Sequence, residues 1–273
     1  MLRMKSENGW WLVTHPDHAR LAGALATSWG NAQFRKPEPR ARVLHGIASH
    51  DDGWAKRDAH PSITREGKPS AFSTELVGNY SAFEEIDLAE YLAVRERAVR
   101  LIAEDEPYAG LIIAMHTYNL LSVQADRSTI APDQLPLLDA FLDNQRNYQR
   151  ELINRIEQDN SLTAIEKDPA TIQEHFRLLQ ACDYLSLLAC VAFDAPANLL
   201  HPLPLNDGST ATVQAQPIGQ RQFRLSPWPF EEPSLTFQFP ARHIVGNRFA
   251  SSTDLAKEFT AAPVEFLELK LVE

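Results

Sequence analysis

Apolar residues recur at helical spacing through the chain up to about residue 197. This spacing predicts helices at residues 16–29, 40–52, 87–104, 108–123, 134–158 and 169–194. Beyond residue 197, prolines and turn residues separate short alternating runs such as SLTFQFP and FLELKL. Each run has its large apolar residues on one face. We therefore expect a helical domain over 1–197 and a small antiparallel β-rich subdomain, packed on it, over 198–273.

Residues 55–85 have no clear hydrophobic period and are predicted to form a long loop with a short helix. Long loops in compact domains often act as lids or binding loops. This loop is therefore a candidate part of a functional site.

Several helices each carry one metal-binding residue type on their apolar face. These residues are His18, His50, His116 and Asp183. Asp183 is the clearest case, because Leu179 and Leu187 lie one turn before and after it on the same stripe. A buried carboxylate normally has a partner or a metal ion, and any single residue of this set can be explained as a satisfied core residue. The combination favours a shared divalent ion.

The segment HDDGW, residues 50–54, places two aspartates at the predicted end of a helix. The C-terminal end of a helix carries partial negative charge, which disfavours each anion by about 0.3 to 1 kcal/mol. The pair must point into water, meet a basic side chain or bind a cation. The sequence leaves these alternatives open.

The order of His18, the doublet His50-Asp51 and Asp183 resembles the HD-domain superfamily of helical metal-dependent phosphohydrolases, which is named for that doublet. The segments LVTHPDHARLAGALATSWG, HDDGW and PWPF also resemble an uncharacterised bacterial family known only as a domain of unknown function. The resemblance implies a mainly α fold, an HD-domain-like helical bundle with a small C-terminal antiparallel β appendage.

The resemblance also implies a metal shell of His18, His50, Asp51 and Asp183 around one or two divalent ions (Mn, Zn, Mg, Ni or Fe). His116 lies where two-metal members of the superfamily carry further histidines. It is therefore an additional candidate ligand.

Other residues near this shell are candidates for proton transfer or substrate binding. Asp52 and His116 are the nearest predicted proton-transfer groups. Many members of the superfamily carry a lysine shortly after the doublet, where this chain has Trp54, and Lys56 and Arg57 are candidates to replace it. His15, one turn before the first ligand, is predicted either to contact substrate or to be an exposed residue ahead of the helix.

The charge balance restricts the partners. With 26 basic and 36 acidic residues the net charge is −10, which argues against a general nucleic-acid or anionic-membrane binder. No apolar run is long enough for a signal peptide or a bilayer span. We expect a cytoplasmic protein with a small anionic substrate, and we leave its oligomeric state open, with a homodimer among the alternatives.

Three functional hypotheses follow. The first is a metal-dependent hydrolase of a phosphate ester or nucleotide-like molecule, which uses a metal-activated water. The second is an HD-type di-iron oxygenase. The third is a catalytically inactive HD-like signalling or interaction module. Metal identity and number, with tests for hydrolysis and oxygen uptake, distinguish the three.

Overall fold

The computed structural model describes residues 1–77 and 87–273, in which helices pack on a mixed β-sheet. The helices are α1 (His15–Ser28), α2 (Arg40–Ser49), α3 (Ala55–Asp58), α4 (Leu88–Ala103), α5 (Pro107–Asn119), α6 (Leu135–Gln158), α7 (Pro169–Cys190) and α8 (Ser252–Ala261). The strands are β1 (Leu2–Lys5), β2 (Gly9–Val13), β3 (Ala197–Asn198), β4 (Leu203–Pro204), β5 (Thr210–Ala211), β6 (Gln214–Gly219), β7 (Gln222–Ser226), β8 (Ser234–Val245) and β9 (Val264–Val272). Within these ranges, no helix combines the length and the apolar composition that a bilayer span requires.

Local sequence explains where the main helices begin and end. The side chain of Thr14 accepts a hydrogen bond from the backbone N–H of Asp17 at the start of α1, and Asp168 caps α7 in the same way. A proline follows in the first turn of both helices. The helix predicted over 40–52 ends earlier, at Ser49, and the chain then turns through a short 3-10 segment.

The sheet is built around the long antiparallel pair β8 and β9. Leu235 lies opposite Leu271 and Phe237 opposite Leu269, so the predicted apolar faces of the two strands coincide. Among the described residues, the strand order of the sheet is β1-β2-β8-β9-β7-β6-β3. Strands β4 and β5 form a separate short hairpin.

The predicted fold class, a mainly α HD-domain-like bundle with a small C-terminal antiparallel appendage, is wrong. About 48% of the structure is helical and 21% is strand, and seven strands form a curled mixed half-barrel. The N-terminal strand β2 pairs with β8, with Leu12 opposite Arg242, and β7 runs parallel to β9. Short runs such as GWWLV carry no information about a partner that is distant in sequence, which is why the sheet was underestimated. The domain division at residue 197 remains a prediction.

The segment predicted as a long loop, 55–85, is partly regular. It begins with α3 and contains a 3-10 turn at Thr74–Leu76. Residues 78–85 of the predicted loop lie outside the described residues.

A hydrophobic core joins the helices to the sheet. Leu25 of α1, Trp29 directly after that helix and Leu188 of α7 share it with Phe223 of β7 and Leu269 of β9, and all five are buried. Burying a large apolar side chain contributes about 1.5 to 3 kcal/mol. This core fixes α1 and α7 on the sheet.

Two glycines allow close approaches between elements. A Cβ at Gly46 of α2 would lie 2.6 Å from Cδ1 of Ile112 in α5. A Cβ at Gly53 would lie 2.6 Å from the backbone nitrogen of Ala98 and from the carbonyl oxygen of Val94, both in α4. The HDDGW turn and α4 can therefore pack at this distance only with glycine at position 53.

Candidate metal centre

Side chains with metal-binding atoms meet where α1, α2, α5 and α7 come together. They are His18 of α1, His50 and Asp51 at the end of α2, His116 of α5 and Asp183 of α7. These five residues are called the ligand cluster below. All of them are buried, with at most 7% of any residue exposed. The apolar stripes on which they lie turn them toward one another.

The ligand atoms of the cluster are close enough to share an ion. His18 Nε2 lies 3.0 Å from Asp51 Oδ2. His50 Nε2 lies 3.8 Å from Asp51 Oδ2 and 3.3 Å from Asp183 Oδ1. In each of two overlapping groups, the ligand atoms all lie within 4.8 Å of one another. The groups are His18, His50 and Asp51, and His50, His116 and Asp183. Metal bonds of about 2.0 to 2.2 Å separate the ligands of one ion by roughly 3 to 4.4 Å, so these buried groups could hold a metal ion.

The hydrogen bonds behind His18 determine which of its nitrogens carries a proton. The hydroxyl of Ser186 donates to the backbone carbonyl of Asp183 at 2.7 Å, so its oxygen accepts from His18 Nδ1–H at 2.9 Å. In the neutral ring, Nε2 then carries a lone pair. That lone pair meets a carboxylate oxygen of Asp51, which is also an acceptor.

His50 repeats this arrangement. Its Nδ1–H donates to the backbone carbonyl of Ile47 at 2.8 Å. Within residues 1–77 and 87–273, its Nε2 is a buried atom without a hydrogen-bond partner. Two imidazole lone pairs and two carboxylates therefore converge with no proton between them when the rings are neutral. Either a cation lies among these atoms or the histidines take up protons.

The ionisation of the cluster favours a cation. Burial lowers the pKa of His50, but the charges of Asp51 and Asp183 outweigh burial and raise it to about 9. Burial raises the pKa of Asp51, yet Arg95 and then His50 hold it well below its ordinary value. Burial also opposes ionisation of Asp183, but the proximity of His50, whose Nε2 lies 3.3 Å from Asp183 Oδ1, lowers its pKa. Both carboxylates are thus anionic at neutral pH and attract either a proton or a metal ion.

His116 completes the cluster as a neutral imidazole. Burial lowers its pKa to about 3, and neutral imidazole is the form that binds metal ions. Its Nε2 lies 3.8 Å from Asp183 Oδ2. Its Nδ1 has no hydrogen-bond partner in the part of the chain that the structure describes. The structure therefore places His116 beside the other ligand candidates.

Arg95 of α4 contacts the cluster, although the sequence analysis did not select it. Its NH1 donates to Asp51 Oδ1 at 2.6 Å, and its Nε donates to the hydroxyl of Tyr91 at 2.9 Å. The guanidinium carbon lies 5.3 Å from the ring centroids of both Trp54 and Tyr91. Arg95 lies on the apolar stripe of α4, as Asp183 lies on that of α7. A charged residue on an apolar stripe is the pattern that identified Asp183, and the same pattern could have identified Arg95.

A cavity of about 420 Å³ lies against the ligand cluster. Its lining includes four cluster residues, His18, Asp51, His116 and Asp183. Other charged side chains in the lining are Arg3, Arg57, Lys68, Arg95, Glu66 and Glu75. The volume falls within the range of small-molecule sites, about 300 to 1,000 Å³. A small molecule can therefore reach the cluster.

His15, a predicted substrate contact, lines the same cavity. Its ring stacks on Trp54 with centroids 4.2 Å apart, and its Nδ1 lies 2.9 Å from Asp58 Oδ2. Asp58 also accepts hydrogen bonds from the backbone N–H of His15 and from the amino group of Met1. Burial lowers the pKa of His15 to about 4. Sequence reasoning missed Asp58 because its segment has no hydrophobic period.

The remaining predicted residues are distributed differently. Asp52 Oδ2 accepts a hydrogen bond from Arg20 at 3.0 Å, and Asp52 is not among the described residues that line the cavity. Lys56 is exposed and is likewise not among them. Arg57 does line the cavity, and its Nε lies 3.6 Å from Glu90 Oε1. Of the two aspartates in HDDGW, the first joins the cluster and the second pairs with an arginine.

Comparison with known proteins identifies a family. No curated protein and no solved structure matches the chain at a significant level. A family model with the description "Protein of unknown function (DUF3891)" matches residues 1–245, which include the ligand cluster, Arg95 and the chain through the end of β8. Because this match covers most of the 273 residues, the chain belongs to the DUF3891 family.

Proposed function

We propose that the protein is a metal-dependent hydrolase that uses a metal-activated water against a phosphate ester or a nucleotide-like small molecule. One observation carries this proposal: buried imidazole nitrogens and carboxylate oxygens converge in two overlapping groups, within 4.8 Å of one another in each, beside a cavity of small-molecule size. The ordered set of His18, the His50-Asp51 doublet and Asp183, which resembles HD-type phosphohydrolases, supports the same reaction class.

The donor set suits a borderline divalent ion. His18, His50 and His116 offer nitrogen, and Asp51 and Asp183 offer oxygen. Such a mixture favours Mn, Fe, Ni or Zn, whereas Mg prefers oxygen ligands. His18 and His50 each donate the Nδ1 proton to an oxygen acceptor. Such hydrogen bonds orient the imidazoles of metal-binding histidines.

A divalent ion supplies one element of the chemistry when bound, since it lowers the pKa of a coordinated water to about 7. The side chains supply the rest. Arg95 keeps Asp51 anionic and therefore able to act as a ligand. The ring of His15 lines the cavity, and its Nδ1 lies 2.9 Å from Asp58 Oδ2 and 2.6 Å from the amino nitrogen of Met1. His15 takes the proton-transfer role in place of Asp52, because Asp52 is paired outside the lining.

Basic groups in the cavity support an anionic substrate. Arg3, Arg57 and Lys68 belong to the lining, although the whole chain has a net charge of −10. Arg3 also donates to the backbone carbonyl of Pro69, which holds it in the wall of the cavity. Guanidinium groups match phosphate geometry, and the volume limits the substrate to a small molecule.

Adjacent substitutions in HDDGW test the proposal. Asp51→Asn and Asp52→Asn make the same chemical change, but only Asp51 belongs to the ligand cluster. After loading with Mn²⁺ and desalting, wild type and Asp52→Asn should retain metal by mass spectrometry, whereas Asp51→Asn should not. Metal-loaded wild type should hydrolyse bis-p-nitrophenyl phosphate or p-nitrophenyl phosphate, and Asp51→Asn should be inactive.

Other results would contradict this proposal. Equal metal content in wild type, Asp51→Asn and Asp52→Asn would contradict a metal centre at the ligand cluster. Two irons per chain with oxygen uptake would favour the oxygenase. A metal-loaded protein inert toward phosphate esters and oxygen would favour an interaction module.

A further inference from the structure

The two oxygens of Asp51 have different partners. Oδ2 lies 3.0 Å from His18 Nε2 and 3.8 Å from His50 Nε2, which is the ligand side of the carboxylate. Oδ1 accepts from NH1 of Arg95 at 2.6 Å. A carboxylate that bridges two metal ions through both of its oxygens offers one oxygen to each. In this protein the second oxygen already binds a cation, the guanidinium.

Arg95 is held firmly in this position. The residue is 5% exposed, its Nε donates to Tyr91, and its guanidinium lies over the rings of Trp54 and Tyr91. The close packing of Gly53 on α4 brings the helix that carries Arg95 against the HDDGW turn. Because the side chains of Arg95 and Asp51 are only 7% and 5% exposed, little solvent competes for the guanidinium, and the pair stays together.

We infer that Arg95 takes the place of a second metal cation and restricts the centre to one divalent ion per chain. The inference rests on the proposed metal centre and specifies its composition. Asp51 and Asp183 carry two negative charges, which Arg95 and one divalent ion already exceed. A second divalent ion would add to this excess in a site with little water to screen it.

The overlap of the ligand groups agrees with a single ion. His50 belongs both to the group with His18 and Asp51 and to the group with His116 and Asp183. Its single available nitrogen, Nε2, cannot bind two ions at once, since Nδ1 donates to a backbone carbonyl. The two groups therefore cannot each hold an ion with all three of their ligands at the same time.

Metal stoichiometry tests the inference directly. Full-length wild type and its variants are dialysed to equilibrium against increasing Mn²⁺. Bound Mn²⁺ per chain is measured by mass spectrometry, and electron paramagnetic resonance detects exchange coupling between neighbouring ions. Wild type should saturate at one uncoupled ion. Arg95→Gln should bind a second ion and show coupling, because Asp51 Oδ1 becomes available. Arg95→Lys, which keeps the positive charge, should bind one Mn²⁺ ion per chain, as wild type does.

Arg57→Gln is the matched control. Arg57 also lines the cavity and lies 5.5 Å from the ring of Trp54, but its carboxylate neighbour is Glu90, outside the ligand cluster. This variant should bind one ion. Circular dichroism verifies folding, and Arg95→Met, which keeps much of the buried hydrocarbon, replaces Arg95→Gln if the latter is unfolded.

The possible failures are distinguishable. Two ions in wild type would overturn the inference and leave the metal-dependent function standing. A single bound ion in folded Arg95→Gln or Arg95→Met would also overturn the inference. The proposed metal-dependent function would again stand. No bound metal in wild type would end the proposed function and the inference together.

Discussion

The buried ion pair between Asp51 and Arg95 predicts a large stability loss when one charge is removed. In the metal-free protein, Asp51→Asn removes the buried carboxylate that accepts from NH1 of Arg95 at 2.6 Å. The two residues are 3% and 5% exposed, so solvent cannot replace the lost partner. Breaking such a pair from one side costs about 3 to 5 kcal/mol. At roughly 2 to 4 °C per kcal/mol for a chain of this size, the melting temperature should fall by about 6 to 20 °C.

The neighbouring ion pair provides the control. Asp52 pairs with Arg20, whose side chain is 52% exposed, and an exposed pair contributes only about 0 to 1 kcal/mol. Asp52→Asn should therefore lower the free energy of unfolding far less than Asp51→Asn. Urea unfolding in EDTA at pH 7, followed by circular dichroism, compares the two variants without any contribution from metal.

A double-mutant cycle isolates the pair itself. Asp51→Asn combined with Arg95→Gln removes both charges, so the double variant should be more stable than the sum of the single losses predicts, by up to about 3 kcal/mol. Equal losses for Asp51→Asn and Asp52→Asn would refute the reasoning. Strict additivity in the cycle would refute it as well.

Further predictions concern pH, metal affinity and packing. Burial lowers the pKa of His175 to about 4, so the unfolded state binds more protons and stability should fall as pH drops from 6.5 toward 4. His175→Gln should remove up to about 3 kcal/mol of this pH-dependent loss, as measured by urea unfolding at pH 6.5 and at pH 4. A variant whose stability depends on pH as the wild type does would contradict this. Ser186→Ala removes the acceptor of His18 Nδ1–H and should weaken Mn²⁺ binding about 10- to 100-fold in a competition assay with a chelator, whereas unaltered affinity would argue against His18 as a ligand. Gly53→Ala should lower stability by about 1 to 3 kcal/mol because its Cβ meets the backbone of α4, while Gly219→Ala, whose Cβ approaches no atom closer than 3.3 Å, should change it much less.

Helical periodicity was sufficient to select residues that the fold brings together. His18, His116 and Asp183 each interrupt an apolar stripe, and a stripe specifies which way its residues face without knowledge of the partner helix. The hydrogen bonds that orient these rings could not be predicted in this way. Ser186 and the carbonyl of Ile47 become partners only when the backbone is positioned.

Other features depend on contacts that the local sequence does not encode. Asp58 lies in a segment without a hydrophobic period, and its proximity to His15 results from where the fold places α3, which ends at Asp58. Asp52 follows Asp51 directly, yet the 3-10 turn directs the two carboxylates to different arginines. The mixed sheet was missed for a related reason, since short strands acquire partners only through tertiary pairing.

The pairing of β2 with β8 has a consequence for biosynthesis. Leu12 lies opposite Arg242, roughly 230 residues later, and α1 begins just two residues after β2 ends, with His18 in its first turn. Strand β2 therefore gains its central neighbour only after β8 has emerged from the ribosome. The contacts that fix β2, and α1 directly after it, on the sheet are therefore completed late in synthesis. The proposed metal centre lies on α1, so its attachment to the sheet belongs to the last stage of folding.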